Sequence, residues 1–152
     1  MDYTTEFNKL IQGVSKIIGK PISRSDYEIL DRGIPHTHPP RLPRGKMAVY
    51  AFIYNGIFLK IGRANRKSHA RFASQHYSHN AAKSTLAKSI LNDNTFAVHK
   101  IHEDEVNNWI KQNCRRIDVL INENLGHFAL ELIESILHYR YEPKYEGFKS
   151  QR

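Results

Sequence analysis

Between residues 47 and 92 the sequence carries seven cations and no Asp or Glu: Lys60, Arg63, Arg66, Lys67, Arg71, Lys83 and Lys88. The whole chain has a net charge of +8, so everything outside that block contributes only +1 (8 − 7). All fifteen acids lie elsewhere, an asymmetry that suits binding of a polyanion, nucleic acid being the commonest. The block opens with "MAVYAFIYNGIFLKIGRANRKSHAR", a hairpin whose second strand runs into Lys60, Gly62 and Arg63. A strand pair that ends in cations, with basic residues just beyond, is built to meet phosphate.

Around this block the elements can be read from periodicity. Phe7, Leu10, Ile11, Val14, Ile17 and Ile18 recur at helical spacing, predicting an amphipathic helix over 5–18 that stops at Gly19. Ser25 and Glu28 form a capping-box pattern, which predicts a short helix to residue 31. Four of the six prolines then fall in "IPHTHPPRLPRGK", a loop of extended character. His36 and His38 within it have no cysteine nearby, and the flanking prolines favour a mobile loop over a metal site.

From residue 47 the period is two. Val49, Ala51 and Ile53 share one face and Tyr50, Phe52 and Tyr54 the other, and Asn55-Gly56 supplies a tight turn. Both faces are apolar, so the sheet should be covered on both sides. Helices are expected near 66–76, 81–92 and 103–113, weak strand character at 95–101, and a third good strand at 115–121. A long helix over 125–141 follows, with Phe128, Ala129, Leu132, Ile133, Ile136 and Leu137 as its apolar stripe and Glu134 past the stripe's edge.

A hairpin, a glycine, a basic helix, a third strand and a carboxylate-bearing helix, in that order, resemble the GIY-YIG nuclease superfamily over about residues 47–146. The matching residues are Tyr50 in "AVY", Lys60 and Gly62 in "KIG", Arg71 on the first helix and Glu134 before "EPKYE". The resemblance implies an α+β fold with a small three-stranded antiparallel sheet flanked by helices, here behind an N-terminal helical extension and Pro-rich loop over 1–46. It also implies cleavage of DNA with one divalent ion, Mg²⁺ or Mn²⁺. Two positions depart from the pattern. Lys60 replaces the second motif's tyrosine, as in some restriction endonucleases of the family, and Glu146 replaces an asparagine.

The resemblance assigns roles that suit the chemistry. A hard cation commonly takes one or two carboxylates, and Glu134 is the expected ligand, with Glu131 its competitor. Arg71 would hold the phosphoryl oxygens where charge develops. Tyr50, Lys60 or His76 would handle the proton of the attacking water, His76 being the nearest imidazole to Arg71 apart from His69. For the hairpin, a two-residue loop sets Tyr50 opposite Ile61, and a three-residue loop sets it opposite Lys60. The catalytic reading prefers the second. Arg63, Arg66, Lys67, Lys83 and Lys88 are the expected DNA contacts. The sequence does not separate DNA from RNA, and cutting two strands at once would require a homodimer. The rival reading is a basic nucleic-acid-binding module that keeps this fold without its chemistry.

The remaining features bound the class. A chain of 152 residues, 40% hydrophobic, fits a single compact fold with a sizeable core. A single cysteine, Cys114, excludes an intrachain disulfide and a multi-cysteine zinc site. No apolar run approaches the roughly 18 residues of a membrane helix, and the N-terminus lacks a signal-peptide pattern. The expected compartment is the cytoplasm.

Overall fold

The structure, a computed structural model, describes residues 1–146. Four antiparallel strands form its centre: β1 (Tyr27–Gly33), β2 (Lys46–Tyr54), β3 (Ile57–Ala64) and β4 (Arg115–Asn122), in the order β1-β4-β2-β3. Helices α1 (Tyr3–Ile17) and α5 (His127–Tyr141) cover one face. The other is covered by α2 (His69–Ala73), α3 (Leu86–Leu91) and α4 (Val106–Asn113). Alternate residues of β2 feed the two cores. Val49, Ala51 and Ile53 pack towards α1 and α5, while Tyr50 and Phe52 pack towards α2–α4.

The fold is α+β, as expected, but its sheet has four strands rather than three. The extra one is β1, which replaces the helix expected over 25–31. Its capping box is made by Ser23 and Asp26, not by Ser25 and Glu28, and it closes only a single 3-10 turn (Arg24–Asp26). Beyond it Tyr27 and Ile29 are buried while Glu28 is exposed, a period-two pattern that pairs with β4 from Tyr27↔Ile121 onwards. Residues 1–46 therefore add both α1 and β1 to the common sheet and core.

Other differences have local causes. The strand expected at 95–101 is instead a 3-10 turn (Asn94–His99) started by Asp93, which accepts from the Thr95 amide. The helix expected at 66–76 is α2 alone, followed by a 3-10 turn (Gln75–Tyr77). In α1 the buried row is Tyr3, Phe7, Ile11 and Ser15, which leaves Ile17 and Ile18 exposed beyond its end. In α5 the buried row is Leu130, Ile133 and Leu137, and Phe128 is exposed. No described helix is long and apolar enough to cross a membrane.

The Pro-rich segment is tied down rather than mobile. Leu42 and His36 are buried, the His36 amide donates to the Lys111 carbonyl (2.9 Å), and its Nε2 lies 2.9 Å from the Tyr77 hydroxyl. Burial lowers the His36 imidazole from 6.5 to about 4. Between those values the unfolded chain binds the proton and the folded chain does not, so stability rises with pH across this window. The melting temperature should accordingly fall as pH drops from 7 to 4.5. His36→Gln should flatten that slope, and an unchanged slope would show that His36 does not supply it.

Candidate active site

The hairpin sets the geometry. Asn55 and Gly56 both take positive φ (49° and 79°), giving a two-residue turn with Tyr54 opposite Ile57. That turn alone would place Tyr50 opposite Ile61. A bulge intervenes: Ile53 pairs with Phe58 and Phe52 with Lys60, which leaves Leu59 as the extra residue. Neither register expected from the sequence is realised. Tyr50 faces Gly62, and Tyr50, Phe52, Lys60 and Gly62 share one face.

Gly62 is a glycine because the Tyr50 ring lies across it. A Cβ there would sit 2.6 Å from the phenol oxygen and 2.8–2.9 Å from ring carbons. Tyr50 is packed in the core, so the ring cannot swing into solvent to make room. Gly62→Ala should leave a folded protein whose phenol is displaced. Misplacing a reacting group by about 1 Å costs on the order of 10²-fold. In a nuclease assay this variant should lose that much rate, and a Gly62→Ala protein cutting at the parental rate would detach Tyr50 from catalysis.

The Tyr50 hydroxyl lies 2.7 Å from His76 Nε2, and both side chains are buried. Burial pushes the phenol well above its ordinary value, against the opposing pull of Arg71 and Arg116. Burial, followed by Lys60, Arg71 and Arg116, pushes the His76 imidazole well below its own. At neutral pH the pair is a neutral phenol hydrogen-bonded to a neutral imidazole, and the phenol oxygen accepts from Arg71. The resting Tyr50 is not a phenolate.

Lys60 is buried, with Glu146 at 2.8 Å and Ser84 Oγ at 3.4 Å. Glu146 is delivered by the chain after α5, where the Lys144 and Tyr145 amides donate to Phe58 and Leu59 on the free edge of β3 (both 2.9 Å). Asp93 anchors that chain by accepting from Lys144 and Tyr145 at 2.5 and 2.7 Å. Arg71 is exposed on α2, its backbone fixed by the buried Phe72 beside it. Glu134 lies on α5, which covers the opposite face of the sheet, and pairs with Arg63 of β3 at 3.2 Å. His138, one turn on, holds that helix to the strand through Nε2, 3.0 Å from the Ile61 carbonyl.

Tyr50, Lys60, Arg71 and His76 thus form one cluster, and Glu134 belongs to it electrostatically. Arg71 acts on both Tyr50 and Glu134, and so does Glu146. Burial raises the Glu134 carboxyl, with Arg63 opposing most strongly. Arg63 lies 3.2 Å from both Glu134 and Glu131, with its side chain still partly exposed. Arg66, Lys67, Lys83 and Lys88 are exposed. Among the described residues no three His, Cys, Asp or Glu side chains gather to hold a metal. Glu134 is a single half-buried carboxylate beside an arginine, a donor set that fits a hard cation completing its shell with phosphate and water.

The comparisons decide nothing further: no family model, no curated protein and no solved structure matches this chain. The geometry must therefore speak for itself, and it adds two residues the sequence reading passed over. Arg116 and Asp118 are fully buried on β4, opposite Phe52 and Tyr50. The Arg116 guanidinium donates to Asp118 (2.8 Å), the Tyr77 hydroxyl (3.0 Å) and the Phe72 carbonyl (2.7 Å). It lies 4.9 Å from the Phe72 ring centre and 5.5 Å from that of Tyr50. Asp118 also accepts from Arg32 of β1. The signal was present: an Arg and an Asp two apart in an apolar strand point to the same buried face.

Proposed function

We propose that the protein is a metal-dependent DNA endonuclease of the GIY-YIG type, acting in the cytoplasm. The observation that supports this best is the buried Tyr50–His76 hydrogen bond, with Arg71 donating to the same phenol and Lys60 on the same face of the sheet, while Glu134 on α5 feels the Arg71 charge. In this reading Glu134 would hold Mg²⁺ or Mn²⁺, and the chemistry such an ion would supply is Lewis-acid polarisation of the phosphate. Arg71 donates to the oxygens where charge accumulates. The neutral Tyr50–His76 pair would carry the water's proton: as the water oxygen bonds to phosphorus, the phenol oxygen would take its proton and pass its own to His76 Nε2, while the phosphorus–oxygen bond to the leaving strand breaks and the leaving oxygen takes a proton from solvent. Lys60, buried and paired with Glu146, adds positive charge beside His76. Each chain carries one such cluster, so cutting both strands at once takes two copies.

The test is incubation of supercoiled plasmid, and of a structured RNA in parallel, with Mg²⁺, Mn²⁺ or EDTA. Nicked or linear DNA with metal and none with EDTA is the expected result. Salt-sensitive DNA binding without cleavage in either metal would favour the rival reading, a binding module. That reading is supported by Arg63 occupying Glu134 and Glu146 occupying Lys60.

A further inference from the structure

Next to α2 the surface holds a groove of about 700 Å³ that none of the proposed catalytic residues line. Its cations are Arg41, Arg44, Lys46 and Arg66, with His69 at one side and Glu123 as the only acid. The loop that carries the first three is preorganised. Leu42 anchors it in the core, the Lys46 amide donates to Pro43, and Gly45 turns it with φ +72°. The Gly45 carbonyl accepts from Glu123 at the end of β4 (2.9 Å), and Lys46 Nζ is held by Asn122 at 2.5 Å.

Its charges are available. Arg41 and Arg44 are exposed and make no ion pair among the described residues. Arg66 is 74% exposed and lies 3.9 Å from Glu123, a contact of small energy. Two residues of its lining, Arg66 and His69, precede Arg71 in the chain, and His69 shares α2 with it. Its lining has no Tyr, Phe or Trp on which a base could stack, and its cations sit on a fixed scaffold. Such a surface meets the sugar-phosphate backbone rather than base edges.

We infer that this groove holds the phosphate backbone of a nucleic-acid duplex beside the scissile bond, so that the Pro-rich loop is part of the DNA-binding surface. The inference rests on the nuclease reading for its substrate, but its test is independent of cleavage. The experiment measures binding of a fluorescent duplex by the full chain, without divalent metal, across a salt series. Arg41→Ala/Arg44→Ala is compared with the parent and with Lys9→Ala/Lys16→Ala, which removes equal charge from α1 on the other sheet face.

The groove variant should keep its melting temperature, because both side chains are exposed. Each lost phosphate contact makes the slope of log K against log salt shallower by about 0.9, so two should remove about 1.8. At ~0.1 M salt that corresponds to roughly 10- to 100-fold weaker binding, equal for duplexes of unrelated sequence. A slope matching the parent's, or an equal loss in the α1 variant, would overturn the groove while leaving the nuclease reading intact. A parent that neither binds nor cuts DNA would overturn both.

Discussion

Glu134→Gln should abolish the proposed metal-dependent cutting while the folded protein keeps its melting temperature or gains a little. The loss should be on the order of 10³-fold or more, about 4 kcal/mol of transition-state stabilisation, because the single carboxylate able to hold the ion becomes an amide. Stability should not follow activity. Burial pushes the Glu134 carboxyl up, so at neutral pH the fold carries its charge at a cost that glutamine does not impose. Arg63 keeps Glu131 as a partner at 3.2 Å after the change. Glu131→Gln is the companion measurement. Its side chain is 41% exposed, and cutting should stay within a few-fold of the parent. A dead Glu131→Gln and an active Glu134→Gln would move the metal site one turn along α5. Activity in both would remove it from this helix.

How legible was this arrangement in the sequence? The hairpin was readable because Asn55-Gly56 encodes its own turn, requiring nothing from the rest of the chain. The register was not. The bulge at Leu59 has no glycine or proline to mark it, and it lies where the Phe58 and Leu59 carbonyls also accept from the amides of Lys144 and Tyr145 at the far end of the chain. β1 was misread for a similar reason: its strand character depends on β4, some 90 residues away, while its local signals are a cap and a short apolar run. The family resemblance picked out Tyr50, Lys60 and Arg71, of which Tyr50 and Lys60 share a sheet face and Arg71 donates to the Tyr50 phenol, and Glu134, which lies on α5 beside Arg63. It could not reveal that Glu146 closes on Lys60, or that Arg63 pairs with two carboxylates of α5. Side-chain pairing across elements leaves no periodic trace.

The second large effect concerns what lies under the site. Asp118→Ala should destabilise the protein by about 3–5 kcal/mol, since it leaves the fully buried Arg116 without its counter-charge. Against a typical stability of 5–15 kcal/mol that is a large fraction, and the melting temperature should fall by on the order of 10 °C. Hydrogen bonds from Arg116 to Tyr77 and Phe72 remain, but neither acceptor is charged. Arg32 is partly exposed and can turn to water, so it does not share the penalty. The coupling is measurable. In an Arg116→Met background the same Asp118→Ala change should cost much less, because no buried cation is left to be stranded. Equal costs in both backgrounds would show that the pair is not what holds β4 to α2. If the coupling is found, Arg116 is a positioning residue: by fixing the Phe72 carbonyl it orients the turn of α2 that presents Arg71, and Arg116→Met should lower the cutting rate with little change in DNA affinity.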